Sequence, residues 1–475
     1  MVLSMLSLFA VFANDEVVTS ADQDWQAVLT GAQAGDVIVL QAGTYDLDRR
    51  VDLRASGRAD APITVRAEAP GAVRLESTTV EAFKVSGAHW HFEDLDVVGV
   101  CAKDHDCEHA FHVVGDADGF VLKNSRVLNF NAQIKANREN GEFPDGALII
   151  GNEFGNDAPR QTSRPVVPID VVGADRWVVE ANYFHDFQKA GGNGVSYAAF
   201  FKGNSRQGIF RRNLVVCEAD HTGGTRLGLS FGGGGSSPDS ICRGSDCSIE
   251  HTGGVMENNI IANCPASLGI YLNKSKNTTI AYNTLYDTVG VDARFSVTTA
   301  RLTGNLIDGR LKERDGGTIE VDGRDFTGLD LSTVYDDAAG GVFTVRDGSG
   351  VEMPASADAP KVDFCDQGRA TPTTAGAVDA GSDCDTTAIV VGSSDDPGPG
   401  EPGDTDDTTD DGANDGAEDG LDSEIPVDPA FNQRRGVGCS TVGEKRDSNP
   451  TWWIPFLSLW LCLLPVLLRS RKDSE

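Results

Sequence analysis

The chain is poor in basic residues, and its cysteines and histidines lack the spacing of a zinc site. Lys and Arg number 40 against 72 Asp and Glu, and the formal net charge is -32. A nucleic-acid backbone would be repelled by this charge unless basic groups were locally concentrated. No CxxC pair and no His cluster of zinc spacing occurs in the sequence. We therefore predict no nucleic-acid partner and no zinc site, while any other metal is left open.

The cysteines are instead expected to form disulfides. The chain has 10 of them, and an even set is left once Cys439 near the C-terminus and Cys462 in an apolar segment are set aside. Even numbers are typical of proteins in an oxidising compartment. The sequence suggests pairing neighbours and then the two that are left over: Cys101 with Cys107, Cys242 with Cys247, Cys365 with Cys384, and Cys217 with Cys264.

Long apolar runs are confined to the two ends of the chain. Residues 1–13 form a short apolar segment that closes on Val11-Phe12-Ala13, which predicts a cleaved signal peptide. Near the other end, Cys439 precedes an uncharged span at 452–468, which is followed by a basic cluster. Such a span is at the short limit for a transmembrane helix, and the basic cluster would hold its C-terminal side in the cytoplasm.

This order of Cys, apolar span and basic end resembles the myxobacterial type of C-terminal sorting tail. The resemblance implies that residues 439–475 direct surface display through a sorting or processing machinery. A permanent single-pass membrane anchor is the alternative. We expect an exported protein at the cell surface or outer membrane, and its release after processing is left open.

The body of the chain, residues 14–345, carries a repeat that predicts its fold. An apolar pair precedes an Asn, and apolar residues follow it, at steps of 28, 30, 31, 46, 24 and 22 residues. Each step suits one coil of a solenoid, and stacked Asn amides can bond to one another at the turns. The members are Asn152, Asn182, Asn213, Asn259, Asn283 and Asn305, with Asn124 as a looser first member. We predict an all-β, right-handed parallel β-helix rather than a propeller or a sandwich.

The regions that flank this repeat are predicted to differ from it. Ser20 and Gln23 form a capping-box pattern ahead of a short helix that would cover the first coil. Residues 346–394 are expected to form a β-rich or irregular extension. Residues 395–438 are rich in Asp, Gly, Thr and Pro, a composition that predicts an extended, disordered acidic linker.

Polar residues at corresponding points of successive coils predict a binding face. Counting back from each Asn turn places Asp170 beside Lys202, with Lys135 one coil earlier and Arg226 one coil later. Asn273 and Arg294 lie on the coils beyond. We expect this column of charged and amide groups to bind an anionic sugar.

At these residues the chain resembles the alginate and chondroitin lyases of the chondroitinase-B type, over roughly residues 20–310. The resemblance rests on an early Gly-Asp-x-Ile and Gly-Thr-Tyr pattern, on the segment at 61–65, and on Lys202, Asn213 and Arg226 with their spacing. It implies that Lys202 removes the proton beside a uronate carboxylate, assisted by Arg226. We add Tyr197, which precedes Lys202 on the same predicted strand, as a further candidate catalytic residue. That family holds Ca²⁺ with a Glu-x-Glu pair before the lysine, where this chain has Val195-Ser196-Tyr197. Ca²⁺ therefore stays a candidate cofactor without its usual ligands.

Two functions follow from these observations. The first is a polysaccharide lyase that cleaves an acidic glycan by β-elimination. The second is a non-catalytic surface β-helix that binds glycan or mediates adhesion. The lysine and arginine favour the lyase, whereas the missing Glu-x-Glu pair favours the binding protein.

Overall fold

The chain winds through three parallel sheets in a repeating order. The computed structural model describes residues 16–321, 324–353, 359–382 and 386. Each coil contributes one strand to sheet A, one to sheet B and one to sheet C before the next coil begins. Strands one coil apart pair in parallel, so side chains at equivalent positions stack in columns. The predicted parallel β-helix is therefore confirmed.

The three sheets are defined by their strands. Sheet A contains Glu16–Thr19, Val37–Leu40, Ile63–Ala67, Trp90–Glu93, Val121–Lys123, Leu148–Ile150, Val178–Glu180, Ile209–Arg211, Val255–Glu257, Thr278–Ala281, Thr299–Thr303 and Thr318–Val321. Sheet B contains Gly43–Leu47, Val73–Ser77, Asp96–Gly99, Arg126–Leu128, Glu153–Gly155, Tyr183–His185, Leu214–Val216, Ile260–Cys264, Thr284–Thr288, Leu306–Ile307 and Phe326–Thr327. Sheet C contains Val51–Leu53, Glu81–Val85, His109–Val114, Ala132–Asn137, Ile169–Val172, Val195–Lys202, Thr225–Phe231, Ile270–Asn273, Gly290–Arg294 and Arg310–Arg314.

The smaller elements lie at the corners and at the ends of the solenoid. A three-stranded sheet joins Ser205–Arg206, His251–Thr252 and Ser275–Lys276, and two antiparallel pairs join Tyr335–Asp337 with Val342–Val345 and Glu352–Met353 with Thr373–Thr374. The helices are one α-helix, Trp25–Thr30, and the 3-10 turns Asp104–Asp106, Asp239–Ile241, Arg243–Ser245, Leu331–Thr333 and Ala338–Gly340.

The N-terminal helix packs against the first coil, as its sequence pattern predicts, but its cap is different. Asp24 is the N-cap, and its side chain accepts a hydrogen bond from Ala27 N at 3.2 Å. The expected pair of Ser20 and Gln23 closes the turn before the helix, where Ser20 N donates to Gln23 Oε1 at 3.2 Å. Trp25 is buried edge-on against Tyr45 with the ring centroids 5.5 Å apart.

The predicted Asn ladder exists and runs along the turn between sheets A and B. Asn213 shows the pattern: its Nδ2 donates to Asn259 Oδ1 at 2.9 Å, and its Oδ1 accepts from Asn182 Nδ2 at 3.0 Å. Equivalent bonds link Asn152, Asn182, Asn213, Asn259, Asn283 and Asn305, and Asp325 takes the last position.

Two details of the predicted ladder are wrong. Its first position is held by Ser125, whose N–H donates to Asn152 Oδ1 at 2.9 Å, and not by Asn124. The left-handed turn residue is also not the ladder Asn but the one before it. Positive φ angles occur at Asn124, Gly151, Ala181, Arg212, Asn258, Tyr282 and Gly304. The ladder Asn is therefore selected for its amide bonds rather than for its backbone conformation.

Three of the four predicted disulfides are present: Cys101 with Cys107, Cys217 with Cys264, and Cys242 with Cys247. Cys384 of the fourth pair lies outside the described residues. The first and third bridges close short loops, and the second joins neighbouring coils where sheet B leads into sheet C.

The segment after the last coil folds back over the outer face of sheet B. Leu331, Tyr335 and Phe343 form one buried cluster with outward residues of sheet B such as Leu214 and Ile260. Arg369 anchors this layer, because its guanidinium donates to Asn258 Oδ1 at 2.6 Å and to Gly376 O at 2.8 Å. The same guanidinium lies 4.5 Å from the centre of the Tyr282 ring. The layer covers only the C-terminal coils of sheet B.

Tyr335→Phe is expected to lower the free energy of unfolding by about 1 kcal/mol. The buried Tyr335 hydroxyl lies 2.6 Å from Thr284 Oγ1, which also accepts from Ala377 N, so the change removes one hydrogen bond between the layer and sheet B. Urea denaturation measures the change. Tyr286→Phe is the matched control, since Tyr286 packs at the edge of the same cluster. Equal losses of stability from the two substitutions would show that the hydrogen bond of the Tyr335 hydroxyl does not stabilise the fold.

Among the described residues no helix is long and apolar enough to cross a bilayer. The predicted signal peptide at 1–13, the linker at 395–438 and the tail at 439–475, with its apolar span at 452–468, lie outside those residues.

Candidate functional site

Sheet C presents a continuous column of polar and aromatic side chains on its outer face. The interior face of the same strands carries apolar residues, for example Ile134 and Val171, so the alternating residues point outward. In register order the column runs Asp52, Lys84, His112, Lys135, Asp170, Phe200, Ser230, Tyr271, Asp292 and Lys312. A second outward position, two residues further along the strands, holds Asn137, Lys202, Asn273, Arg294 and Arg314.

The predicted pairing of Asp170 with Lys202 is wrong by two residues. Asp170 lies opposite Phe200, and Lys202 lies opposite Val172. Asp170 lies 12 residues before Asn182 and Lys202 lies 11 before Asn213, whereas Phe200, the residue opposite Asp170, lies 13 before Asn213. The connection from sheet C to sheet A is one residue longer after Lys202 than after Val172, so a count of 11 or 12 does not reach back to Phe200. A two-residue shift keeps the same face of the sheet, so both residues still point outward.

The partner of Asp170 is Lys135, one coil earlier. Lys135 Nζ lies 2.9 Å from Asp170 Oδ2, and Asp170 is 2% exposed. Asp170 Oδ1 is buried and has no hydrogen-bond partner among the described residues. The predicted substrate-binding residues Lys135 and Asp170 therefore form an ion pair in which Asp170 is buried. The Oδ1 atom of Asp170 remains without a donor from the described residues.

Arg226 is not stacked on Lys202, so that prediction is also wrong. Its partner across the strands is Ser196, near the opposite end of the strand that carries Lys202. The Arg226 guanidinium donates to Gly223 O at 2.9 Å and to Gln188 Oε1 at 2.8 Å, and it also bonds Cys217 O. Arg226 is 1% exposed and its partners belong to corner loops, so its contacts are those of a residue that fixes loops.

Lys202 lies beneath a run of glycines. Its Nζ donates to Gly235 O at 3.3 Å and lies 4.9 Å from the centre of the Phe200 ring. A Cβ added at Gly233 would lie 3.0 Å from the same ring, so glycine permits this close approach. The loop formed by this glycine run therefore lies directly over the lysine.

The glycine run is held in place by a buried carboxylate. Glu250 accepts hydrogen bonds at 2.7 Å from Ser236 N, Ser236 Oγ and Gly203 N. Glu250 is fully buried, and its contacts join the loop to the residue that follows Lys202. The loop therefore has a defined position relative to the lysine.

Aromatic residues form an apolar patch around Lys202 that is separate from the interior core. Tyr197 meets Phe200 edge-on with the centroids 5.4 Å apart. The patch consists of Val167, Tyr197, Phe200, Leu227, Leu268 and Tyr271. The predicted catalytic residue Tyr197 is thus placed in the same patch as Phe200, against which Lys202 packs.

A group of four residues lies further along the face, and sequence reasoning found only half of it. Asn273 and Arg294 were predicted, and the strand register adds Tyr271 opposite Asp292. Tyr271 could have been found from the alternation in Ile270-Tyr271-Leu272-Asn273, and Asp292 from that in Val291-Asp292-Ala293-Arg294, where every second residue is polar or aromatic. Burial raises the pKa of Asp292, although the nearby charge of Arg314 opposes this.

The N-terminal end of the face carries paired charges. His112 Nδ1 lies 2.7 Å from Glu81 Oε1, and His112 Nε2 lies 2.7 Å from Asn137 Oδ1. Burial alone would raise the pKa of Glu81, but its contacts with His112 outweigh burial and lower the pKa to about 2. Burial lowers the pKa of His109 to about 3. His112 therefore links Glu81 and Asn137 by hydrogen bonds, whereas the buried Nδ1 of His109 has no hydrogen-bond partner among the described residues.

The described residues do not provide a calcium cage. Ca²⁺ takes six to eight oxygen ligands, commonly from several carboxylates. No group of three His, Cys, Asp or Glu residues in the described part of the chain could hold a metal ion. At Asp170, the Lys135 ammonium occupies the position beside Oδ2 that a cation would need.

A second concave surface lies between sheets A and B, with a volume of about 400 Å³. Its charged residues neutralise one another: Arg126 Nε lies 3.1 Å from Asp96 Oδ1, and Glu153 Oε1 lies 3.1 Å from His185 Nε2. His185 Nδ1 also lies 3.1 Å from Asp186 Oδ2. Asp96 and Glu153 are thus engaged by the protein itself, and the outward columns of sheet C extend over ten strands, so sheet C is the better candidate site for a polymer.

His185→Gln is expected to destabilise the fold more at pH 6 than at pH 9.5. Burial would lower the pKa of His185, but Asp186 and Glu153 outweigh burial and raise the pKa to about 9. A histidine with a raised folded-state pKa contributes stability that is complete below its unfolded value of about 6.5 and is lost as the pH rises through 9. Urea denaturation at the two pH values measures this difference. His105→Gln, at a half-exposed site, is the control, and an equal loss at both pH values would refute the prediction.

Comparison with known proteins agrees with this architecture. The Chondroitinase B family model matches residues 18–103, which confirms the predicted resemblance in the first coils. That match ends before Lys202 and Arg226, so it leaves their roles untested. No curated protein sequence matches the chain.

One solved lyase structure shares the fold at low identity, and two others match this chain with TM-scores below 0.5. Pectate lyase Pel9A is 12% identical with a TM-score of 0.50, over 78% of this chain and 97% of that one. An alginate lyase from Paenibacillus sp. str. FPU-7 is 16% identical with a TM-score of 0.40, over 64% of this chain and 99% of that one. A PL6 family polysaccharide lyase from Pseudopedobacter saltans is 12% identical with a TM-score of 0.39, over 72% of this chain and 97% of that one. The similarity to Pel9A supports the parallel β-helix alone.

Proposed function

We propose that this protein binds an acidic polysaccharide along the outer face of sheet C and cleaves it there by β-elimination, with Lys202 as the base. The observation that carries the proposal is the outward double column on sheet C, in which cationic, aromatic and amide side chains follow one another from coil to coil. The match to the Chondroitinase B family model over residues 18–103 supports the choice of a polysaccharide.

The length of the column suits a polymer rather than a small molecule. Neighbouring strands lie about 4.8 Å apart, so the ten strands of sheet C extend over roughly 43 Å. Small-molecule sites are enclosed pockets that bury most of the ligand. A chain of sugar rings that crosses the coils would meet a new pair of outward side chains at each strand.

The charge of the face suits an anionic chain. The outward residues named above include six Lys or Arg against three Asp, although the protein as a whole has a formal net charge of -32. An excess of basic groups on one face of an acidic protein attracts an anionic polymer to that face. Phe200 and Tyr271 lie between these charged positions in the column.

Lys202 is the best placed base on this face. An amine that removes the proton beside a uronate carboxylate starts β-elimination: a C=C bond forms and the glycosidic C–O bond breaks. Lys202 has a fixed position, because it contacts Gly235 O and the Phe200 ring. Tyr197 belongs to the same patch and is the candidate to return a proton to the leaving oxygen.

A non-catalytic glycan-binding protein is the second candidate, and one observation favours it. Arg226, the expected partner of Lys202, is committed to Gly223, Cys217 and Gln188 in the corner loops. Elimination needs a cation near the uronate carboxylate, and Arg226 does not supply it beside Lys202. In this second case the same face would bind the same polymer without breaking it.

A panel of uronate polysaccharides distinguishes the two candidates. Purified protein is mixed with each polymer, absorbance of the new C=C bond reports cleavage, and calorimetry reports binding. We expect both signals with at least one acidic polymer. Binding without absorbance identifies the non-catalytic protein, and no signal with any acidic polymer overturns the proposal.

A further inference from the structure

We infer that Tyr271, Asn273, Asp292 and Arg294 form a sugar subsite that takes an uncharged, hydroxyl-bearing residue of the glycan, and that Asp292 sets this preference. These four residues are called the acceptor subsite below. The inference rests on the proposed function, because it concerns another part of the same bound polymer.

The four side chains are held together by two neighbouring strands. Tyr271 lies opposite Asp292, and Asn273 lies opposite Arg294, between Ile270–Asn273 and Gly290–Arg294. Alternate residues of a strand are about 6.8 Å apart and paired strands about 4.8 Å apart. The backbone positions therefore outline an area about the size of one sugar ring.

Two buried acceptor atoms in this subsite lack partners in the described part of the chain. Asn273 is 2% exposed; its Nδ2 donates to Gly233 O at 3.0 Å, and this bond leaves Oδ1 without a donor. Asp292 is 3% exposed; its Oδ2 lies 3.2 Å from Arg314 Nε, and its Oδ1 has no donor. Buried polar atoms are almost always hydrogen-bonded, so such a pair points to a ligand that donates to both.

The chemistry of the subsite selects hydroxyl groups over anions. A carboxylate oxygen and an amide oxygen can only accept, and sugar hydroxyls can donate to both. The nearby cations are already engaged, because Arg294 Nε lies 2.8 Å from Asp315 Oδ2 and Arg314 pairs with Asp292. A carboxylate or sulfate ester placed here would face Asp292 without a free counter-charge, which disfavours binding.

The acceptor subsite lies close enough to Lys202 for one oligosaccharide to reach both. Asn273 follows Lys202 by two strands at the same outward position, which is about 10 Å. A uronate at Lys202 would thus be accompanied by an uncharged sugar further along the chain. The glycan that fits best contains both uronate and neutral sugars, and a polymer of uronate alone fits less well.

Calorimetry with two oligosaccharide sets of equal length tests this preference at pH 7.5. One set contains uronate residues only, and the other alternates uronate with neutral sugars. For the unmodified protein we expect at least tenfold tighter binding of the mixed set. Asp292→Asn replaces an acceptor-only carboxylate with an amide that can donate to an anion, so the preference should fall below threefold through tighter binding of the uronate set.

Asp60→Asn is the control, because it removes the same charge from a residue of the N-terminal coils, outside the acceptor subsite, whose side chain is 81% exposed. It should leave the preference unchanged. Should Asp292→Asn fail to fold, Asn273→Leu serves instead: it removes the second acceptor and should weaken binding of the mixed set only.

The outcomes separate this inference from the proposed function. If neither set binds the unmodified protein, the proposed function fails. If the uronate set binds as tightly as the mixed set, or Asp292→Asn leaves the preference intact, the acceptor subsite is overturned and the proposed function stands.

Discussion

Asn213→Ala is expected to lower the free energy of unfolding by about 3–5 kcal/mol. The Asn213 side chain is fully buried, donates to Val179 O and Asn259 Oδ1, and accepts from the backbone and side-chain N–H groups of Asn182. Alanine would remove these four buried hydrogen bonds, each worth about 0.5–1.5 kcal/mol, and would leave the backbone N–H of Asn182 without its side-chain acceptor. The loss should be concentrated in the two neighbouring coils, since each coil of a solenoid packs only on the next.

Chemical denaturation gives the loss in stability, and hydrogen exchange shows where protection falls. Asn140→Gly is the control, because Asn140 is exposed, lies outside the ladder and has a φ of 53°, which glycine adopts readily. A loss below about 1 kcal/mol for Asn213→Ala would show that water replaces the amide and that the ladder contributes little to stability.

Lys202→Ala is expected to reduce cleavage of an acidic polysaccharide by at least about 100-fold, the usual contribution of a general base. Its ammonium group lies between the Phe200 ring and Gly235 O on the outer face of sheet C. Because it belongs to this outer patch rather than to the interior core, its loss should leave the β-helix intact. A non-catalytic protein would respond differently: glycan binding would weaken, and the difference from the unmodified protein would shrink at high salt.

The measurement combines cleavage rate, glycan affinity at two salt concentrations and thermal unfolding. Lys276→Ala is the control, since it removes an exposed lysine from a corner strand. Arg226→Ala, in contrast, should lower stability through its loop contacts. Full activity and full affinity in Lys202→Ala would exclude this part of sheet C as the site.

The sequence alone was sufficient to predict the solenoid, because the signals of a parallel β-helix are local. Each coil repeats an apolar strand and an Asn turn, and the amide of Asn152 or Asn283 bonds to the same residue type one coil away. Two of the three observed disulfides followed from proximity in sequence, and Cys217 with Cys264 followed as the pair that an even count left over. The outward direction of Lys135, Lys202 and Asn273 followed from the two-residue period of a strand.

The neighbours of those side chains were decided by the tertiary structure. Strand register depends on the lengths of the corner connections, and a count of 11 or 12 residues from the Asn turns did not reach Phe200, which lies beside Asp170, because the connection after Lys202 is one residue longer than the one after Val172. Arg226 lies on the expected strand, yet its guanidinium bonds Cys217 O in the loop before that strand and Gln188 Oε1 one coil earlier, and no local pattern in the sequence indicates these contacts.

The segment that covers the outer face of sheet B and the acceptor subsite could likewise not be predicted from the sequence. Nothing near Arg369 in sequence indicates that it will bond Asn258 across sheet B. The environment of Asp292 is set by Tyr271 and Arg314, which lie on the two adjoining strands. The repeat determines the fold of each coil because its interactions recur with every turn of the chain. A site, in contrast, combines residues from separate coils, and only the final strand register brings those residues together.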